Sequence, residues 1–141
     1  MRPVRLFTPA EADAALPAVR PLVRDVRAAH GRWQESLEEY ELIASSLQAG
    51  DEEPLRLLEA RDSIRSEALL VDDLLERLRE LGAELKSFEL GTVDFLSLRQ
   101  DSPVLLCWRD GEATVGHWHP LDAGFAGRQP LDAAIFQKAD A

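Results

Sequence analysis

Residues 104–120 read VLLCWRDGEATVGHWHP, and here the hydrophobic pattern of the chain changes from helical to β-type. Residues 104–108 are apolar or aromatic except for a cysteine, which is typical of a strand. A second such run covers residues 113–119 and ends at Pro120. Asp110-Gly111, between the two runs, is the strongest two-residue signal for a β-hairpin. The stretch therefore predicts an antiparallel pair of strands.

The predicted hairpin also fixes which side chains share a face. A two-residue turn pairs residue 107 with residue 114, and residue 104 with residue 117. Because side chains alternate between the two faces of a strand, His117 and His119 share one face and Cys107 lies on the other. This register disfavours a zinc site made of Cys107 and both histidines. A loop with an odd number of residues would reverse that assignment.

The upstream part of the chain has the period of packed helices. From residue 12 to residue 47, apolar residues recur at alternating steps of four and three, as in a heptad seam. Thr8-Pro9-Ala10-Glu11 is a capping box with proline at the first helical position, so the first helix is predicted to begin near Pro9. Gly50-Asp51 is predicted to end this helix. Pro17 and Pro21 predict a kink or a break in its early part.

A matching seam predicts a second helix over residues 53–81, with Gly82 as its C-cap. The short connection between the helices predicts an antiparallel hairpin. Two polar residues, His30 and Glu67, lie in the seam within about one helical turn of each other. A buried pair that fixes the register of the helices is the main interpretation, and half of a metal site is the alternative.

These segments together predict an α+β fold in a single domain over residues 1–141. A long antiparallel two-helix hairpin with a coiled-coil-like seam covers about residues 9–81. A small antiparallel sheet of two or three strands covers about residues 84–119. A glycine-containing loop and a C-terminal tail cover residues 120–141.

Composition restricts the classes of partner and compartment. The net charge of −10 argues against nucleic acid, because phosphate binding needs concentrated positive charge, and the arginines at 20, 24 and 27 are interpreted as a solvated helix face. No window approaches the roughly 18 apolar residues of a membrane span, so no membrane partner is predicted. The single cysteine and the lack of a secretory signal predict a cytoplasmic protein.

The spacing His117-x-His119 is compatible with metal binding, since both side chains point to one face of a strand. A metal needs at least a third protein ligand, usually a carboxylate. Asp94 is the preferred third ligand among the candidates Asp94, Asp101, Glu112 and Asp122. The alternative is a pair of half-exposed strand histidines. A divalent metal is the one cofactor that the sequence indicates, and its presence stays open.

The loop after Pro120 carries Gly124, Gly127 and Arg128. Its glycines allow close approach to a partner, and the planar guanidinium of Arg128 is suited to anchor an anionic group. A structural salt bridge from Arg128 to an acid on the helices is the alternative.

Three segments resemble one protein family over nearly the whole chain: FTPAEADAALPAVRPLV, ELGTVDF and LLCWRDGEATVGHWHPLDAGFAGRQPL. They are similar to the domain-of-unknown-function family 2203 of bacteria and archaea. The resemblance implies a small, stand-alone cytoplasmic protein and supplies no activity. It marks as candidate ligand-binding residues Asp94, Trp108, Glu112, Trp118, His119 and Arg128. His117 stands where a tyrosine is expected in many members of the family.

Two classes of function remain. The main hypothesis is a non-enzymatic binding or interaction module with a site for a small polar or anionic ligand at the β end. The alternative is a metal-assisted hydrolase that uses His119 with Asp94 or Glu112. An enzyme needs acid, imidazole and arginine around one concave pocket, whereas a structural module would spread them into separate salt bridges. Asp94, Glu112, His119 and Arg128 are predicted to converge at the open end of the hairpin. By the register above, Glu112 is about 10 Å from the level of His117, so it joins only if a neighbouring element folds over the turn or the hairpin curls.

The helical hairpin also predicts self-association. Five leucines lie beside the seam, at positions 55, 58, 69, 70 and 75. Either the sheet covers them, or a second copy of the chain does so in a homodimer formed through the helical hairpin.

Overall fold

In a computed structural model that describes residues 4–132 and 136–137, the first helix, α1, covers Pro9–Ser45. The capping box is confirmed: the backbone N–H of Glu11 donates to Thr8 Oγ1 at 3.2 Å, and the N–H of Thr8 donates to Glu11 Oε1 at 2.9 Å. The predicted break is wrong, because α1 continues through Pro17 and Pro21. Both prolines lie on the exposed side of the helix. An exposed helix face tolerates a missing backbone hydrogen bond, because water can replace the lost partner.

The second helix, α2, covers Leu55–Glu80, and the two helices form the predicted antiparallel hairpin. Gly82 follows the C-cap with a φ of 85°, as a glycine after a helix end does. The first helix ends before Gly50, so its predicted end is wrong. The hydroxyl groups of Ser45 and Ser46 donate to the carbonyl oxygens of Leu42 and Ile43, and such local bonds compete with continuation of a helix.

The two polar residues of the seam do not pair. The ring of His30 stacks on Phe88, with ring centroids 4.0 Å apart and an interplanar angle of 4°. Glu67 instead accepts a hydrogen bond from Nε of Arg32 at 2.9 Å. The predicted His30–Glu67 pair is therefore wrong, because each side chain has a nearer partner of its own.

The sheet is larger than predicted and antiparallel throughout. Five strands follow one another in sequence order, and a sixth pairs with the second. They are β1 (Glu84–Ser87), β2 (Thr92–Arg99), β3 (Ser102–Arg109), β4 (His117–Pro120), β5 (Gln129–Pro130) and β6 (Phe136–Gln137). The remainder of the predicted C-terminal tail, residues 133–135 and 138–141, lies outside the described residues.

The predicted register of β3 and β4 is wrong. The structure pairs Leu105 with His119 and Cys107 with His117. Asp110-Gly111 does form a turn, in which the N–H of Glu112 donates to the carbonyl of Arg109 at 2.9 Å. The chain then leaves the sheet until His117, so the loop over residues 110–116 holds an odd number of residues.

Long-range contacts to α1 explain this loop. The side chain of Val115 is buried in the core, and its backbone N–H donates to Asp13 Oδ1 at 2.7 Å. Arg20 donates to the carbonyl of Ala113 at 2.6 Å. These bonds hold residues 113–116 against the helix, and the odd loop places Cys107 on the face of His117 and His119.

The two faces of the sheet have different surroundings. One face packs its apolar side chains against the helices, among them Val93, Phe95, Leu106 and Trp108. The alternating residues Asp94, Cys107 and His119 therefore point to the opposite face, which we call the outer face. Within residues 4–132 and 136–137, neither helix has an apolar stretch of the length that a bilayer requires.

Candidate functional site

Three buried side chains from adjacent strands meet on the outer face. Asp94 on β2 pairs directly with Cys107 on β3, and His119 on β4 lies two residues beyond His117, the residue that pairs with Cys107. One potential ligand atom from each residue, a carboxylate oxygen, Sγ and a ring nitrogen, lies within 4.8 Å of the other two. The residues are only 4%, 1% and 2% exposed, respectively. We call this group the Asp94–Cys107–His119 cluster.

The ring of His119 is oriented by the backbone. Its Nδ1 lies 2.8 Å from the carbonyl oxygen of Pro120. Because a carbonyl oxygen only accepts, Nδ1 carries a proton and donates it. The other nitrogen, Nε2, is then directed at Asp94 Oδ2 at 3.1 Å. A hydrogen bond between these two atoms requires a proton on one of them.

Asp94 is a buried carboxyl group whose second oxygen, Oδ1, can accept a further bond. Its Oδ1 is inaccessible to water and has no hydrogen-bond partner of normal geometry among the described residues, although the thiol of Cys107 is near enough to favour the ionised carboxylate. Burial raises the pKa of Asp94, although His119 acts in the opposite direction. A buried oxygen without a partner is costly in a folded protein, which makes it a marker of a binding site.

Cys107 is a protonated thiol in this environment. Burial is the main cause that raises its pKa, and the neighbouring Asp94 adds to it, giving a value of about 11. The guanidinium of Arg128 lies beside the thiol and acts in the opposite direction. A thiol with so high a pKa is a poor nucleophile at neutral pH, and it becomes a thiolate only when a cation replaces its proton.

Arg128 and Glu112 extend the site beyond Cys107. Nη1 and Nη2 of Arg128 donate to the two carboxylate oxygens of Glu112 at 3.0 and 2.6 Å. The guanidinium also lies over the ring of Phe125, 4.3 Å from its centroid. Glu112 Oε2 is 3.8 Å from Nδ1 of His117, so Glu112 does join the site. The separation of about 10 Å follows from a two-residue turn, and the structure has a seven-residue loop over residues 110–116 instead.

A small cavity opens next to the cluster. Its volume is about 170 Å³, and its polar lining comes from the cluster, Thr92 and Lys86. Its apolar lining comes from Leu105 and from the loop after β4, which contributes Leu121, Ala123 and Phe125. The cluster is therefore reached from one side, between the outer face and this loop.

The structure brings together four of the predicted site residues. Asp94 bonds to His119 and Arg128 bonds to Glu112, with Cys107 between the two pairs. The acid that pairs with Arg128 lies in the loop before β4, and not on the helices.

The other predicted site residues lie apart. Trp108 is buried on the helix-facing side, where its Nε1 donates to the carbonyl of Glu112 at 2.9 Å. Trp118 packs against Phe136 in the same core. His117 is adjacent to Glu112 and does not join the one group of three metal-binding side chains found among the described residues.

Two residues of the site were not predicted. Cys107 was assigned to the wrong face, and the signal that identifies it is the odd number of residues between β3 and β4. Lys86 lines the cavity because it lies two residues from Glu84, which pairs with Asp94, so alternation along β1 directs both side chains to the outer face. The register of β1 against β2 is a tertiary feature that the residues of β1 alone do not encode.

Comparison with known proteins gives one family and no characterised relative. No curated protein and no solved structure matches the chain significantly. Residues 5–131 match the family described as "Uncharacterized conserved protein (DUF2203)", a span that contains the whole cluster, Lys86, Glu112 and Arg128. This confirms the resemblance seen in the sequence. Since the match covers nearly the entire sequence, the chain belongs to the DUF2203 family.

Proposed function

We propose that the protein is a metal-binding module that holds a divalent transition-metal ion, such as zinc, on the outer face of the sheet. The ligands are a carboxylate oxygen of Asp94, Sγ of Cys107 and Nε2 of His119. The observation that carries the proposal is that these three buried atoms already lie within 4.8 Å of one another.

The spacing of the ligand atoms suits a tetrahedral ion. Zinc binds nitrogen and oxygen at about 2.0 Å and sulfur at about 2.3 Å, which separates neighbouring ligands by roughly 3.3–3.6 Å. The distance of 3.1 Å between His119 Nε2 and Asp94 Oδ2 is close to this range. A small rearrangement of side chains therefore suffices to form the site.

The chemistry of the ligands favours a transition metal over calcium or magnesium. Calcium and magnesium prefer oxygen ligands alone, whereas thiolate and imidazole suit zinc. Metal-binding histidines commonly donate a hydrogen bond from their second ring nitrogen, which fixes the orientation of the ring. The bond from His119 Nδ1 to the Pro120 carbonyl is of this kind. A bound cation displaces the proton between His119 and Asp94 and the proton of Cys107, and the two resulting anions neutralise its double charge.

A binding role accounts for the site better than hydrolysis. In the proposed site Asp94 is itself a ligand, and Glu112 is held by both nitrogens of Arg128. Lys86 is then the one other ionisable side chain that lines the described cavity, so no further carboxylate or imidazole is left there to act as a general base. A free thiol as ligand also fits the expected reducing, cytoplasmic compartment.

Metal titration of the purified protein tests the proposal. Co²⁺ bound by a thiolate gives an intense absorption that unbound Co²⁺ lacks, and Zn²⁺ should displace it at one equivalent per chain. Cys107→Ser and His119→Ala should each weaken metal affinity by at least about 100-fold. Even loss of a group that only hydrogen-bonds to a metal ligand lowers the affinity about 10- to 100-fold.

His117→Ala is the matched control, because His117 lies two residues away on the same face without joining the cluster. It should retain the affinity of the wild-type protein. If the wild-type protein binds no metal, and His119→Ala only lowers the melting temperature, the cluster is structural and the proposal is wrong.

We further propose that the helical hairpin mediates homodimer formation. Four of the five leucines named above are exposed, and Leu55 and Leu69 are 70% and 61% exposed. Leu75 alone packs against the core. The sheet thus leaves most of these side chains uncovered, which favours coverage by a second copy of the chain.

A further inference from the structure

Lys86 is a cation at the mouth of the cavity. It is exposed and lines the same cavity as the cluster, and its charge acts on Asp94. It forms no salt bridge with any residue in the described part of the chain. It lies two residues from Glu84, which pairs with Asp94, so strand alternation directs its side chain to the outer face. This unpaired lysine has no role in holding a metal.

The charges around a bound metal do not cancel. A divalent cation is neutralised by the carboxylate of Asp94 and the thiolate of Cys107, and the neutral ring of His119 adds nothing. The pair formed by Arg128 and Glu112 also cancels. Lys86 then leaves the metal-loaded cavity with one excess positive charge.

The dimensions of the cavity limit its ligand. A volume of about 170 Å³ corresponds to roughly five or six water molecules at about 30 Å³ each. Three ligands from the protein leave a tetrahedral ion one further position, and the cavity is the side from which that position is reached. Leu105, Leu121 and Phe125 add an apolar wall to the same cavity.

We infer that the metal-loaded site binds a small carboxylate monoanion, which occupies the fourth position of the metal. One carboxylate oxygen binds the ion, Lys86 attracts the negative charge, and a short apolar substituent packs against Leu105, Leu121 and Phe125. This inference rests on the proposed metal site and names the class of ligand that the site takes.

The absorption spectrum of the Co²⁺-loaded protein tests the inference. Acetate and propionate are the probes, and inorganic phosphate is the comparison anion. Both carboxylates should change the spectrum saturably, and propionate should bind at least as tightly as acetate because of the apolar wall. Phosphate should bind more weakly, since it has no apolar part to pack against Leu105, Leu121 and Phe125.

Substitution of Lys86 separates charge from coordination. Lys86→Ala should weaken propionate binding by about three- to fivefold, as expected for one partly solvated charge, and Lys86→Glu should weaken it further. Lys86→Arg is the matched control and should bind propionate like the wild-type protein. All three variants should bind Co²⁺ with nearly the wild-type affinity, because Lys86 is not a ligand.

The outcomes distinguish the two proposals. If the Co²⁺ spectrum forms but propionate up to roughly 100 mM leaves it unchanged, the inference is wrong and the metal site stands. If propionate binds equally well to Lys86→Ala and Lys86→Glu, the assigned role of Lys86 is wrong. If no Co²⁺ spectrum forms at all, the metal proposal fails, and the inference fails with it.

Discussion

At the scale of single residues, the pair formed by Arg128 and Glu112 can be studied separately from metal binding. Burial on its own raises the pKa of Glu112, but the hydrogen bonds from Arg128 and from the backbone N–H of Arg109 outweigh it, so the pKa is lowered. Glu112 is therefore more acidic in the folded chain than in the unfolded chain. The ion pair stabilises the fold only while Glu112 is ionised.

This pair predicts a specific acid sensitivity. Because the folded pKa of Glu112 lies below its ordinary value of 4.5, its contribution is present above that pH and is lost as the pH falls through the folded pKa. The free energy of unfolding should be measured by urea denaturation in the metal-free protein. The difference between wild-type protein and Glu112→Gln should be largest near neutral pH and should shrink on acidification.

Glu38→Gln serves as the control for general effects of acid, because Glu38 is exposed on α1. Its difference from the wild-type protein should be small and change little with pH. A Glu112→Gln difference that grows on acidification would contradict the assignment of the lowered pKa.

The residues of the site were only partly predictable from the sequence. Asp94, Glu112, His119 and Arg128 were identified by the family resemblance, and the structure brings them together. The sequence places Cys107 on the wrong face, because the number of residues in the β3–β4 loop depends on two contacts with α1 about a hundred residues away. Asp13 accepts a hydrogen bond from the loop, and Arg20 donates one to it. The position of Lys86 depends on how β1 pairs with β2, which the local pattern of β1 does not encode.

At the scale of elements, the helix boundaries were predicted where local chemistry decides them. The capping box at Thr8 and the glycine at position 82 mark a start and an end that the structure contains. The β3–β4 loop was not predicted correctly, because its turn propensity favoured a return at Asp110-Gly111 and the tertiary contacts of residues 113–116 overruled it.

One arginine on α1 ties two turns of the sheet to the helix. Arg27 donates to the carbonyl oxygens of Phe88 and Glu89, at 2.9 and 2.7 Å, and to Asp110 Oδ2 at 2.9 Å. The predicted solvated face is therefore wrong for Arg27, and also for Arg20, which bonds to the β3–β4 loop. Arg24 is exposed as predicted.

Arg27→Ala should destabilise the fold by about 1–3 kcal/mol, because it leaves two carbonyl groups and a carboxylate without their charged donor. Arg24→Ala is the matched control, one turn away on the same helix, and should change the stability by less than about 0.5 kcal/mol. Urea denaturation measures both. Equal effects of the two substitutions would show that Arg27 does not hold the turns.

The junction between α2 and the sheet depends on Gly82. Its φ of 85° is unfavourable for other residues, and a Cβ at this position would overlap the ring of Phe7. Gly82→Ala should therefore cost at least about 2 kcal/mol of stability, from backbone strain and displacement of a core ring.

Gly31→Ala is the matched control for that substitution. Gly31 lies within α1, and a Cβ there would meet no other atom within 4 Å. Alanine should stabilise the helix at this position by about 0.5–1 kcal/mol. Thermal melts of the two variants should shift in opposite directions, and a harmless Gly82→Ala would refute the close approach of Phe7.

At the scale of the whole molecule, the sheet and the helices divide the surface into two parts with different chemistry. The outer face carries the cluster and its cavity, whereas the helical hairpin exposes Leu42, Leu55 and Leu69 on the remaining surface. An assembly through the hairpin would bury these leucines and leave the cavity open. Metal binding and self-association should therefore be independent of each other.

Self-association is tested by light scattering at tens of micromolar protein. The wild-type protein should have twice the mass of one chain, because a second hairpin removes the exposed leucines from water. The double variant Leu55→Gln and Leu69→Gln should shift the equilibrium towards the monomer, while Leu121→Gln, a leucine that is 53% exposed beside the cavity, should leave the mass unchanged. A monomeric wild-type protein at this concentration would exclude a dimer of useful affinity. If Leu121→Gln disrupts the dimer and the double variant does not, the interface lies at the cavity. A second copy of the chain would then cover the cavity entrance beside Lys86.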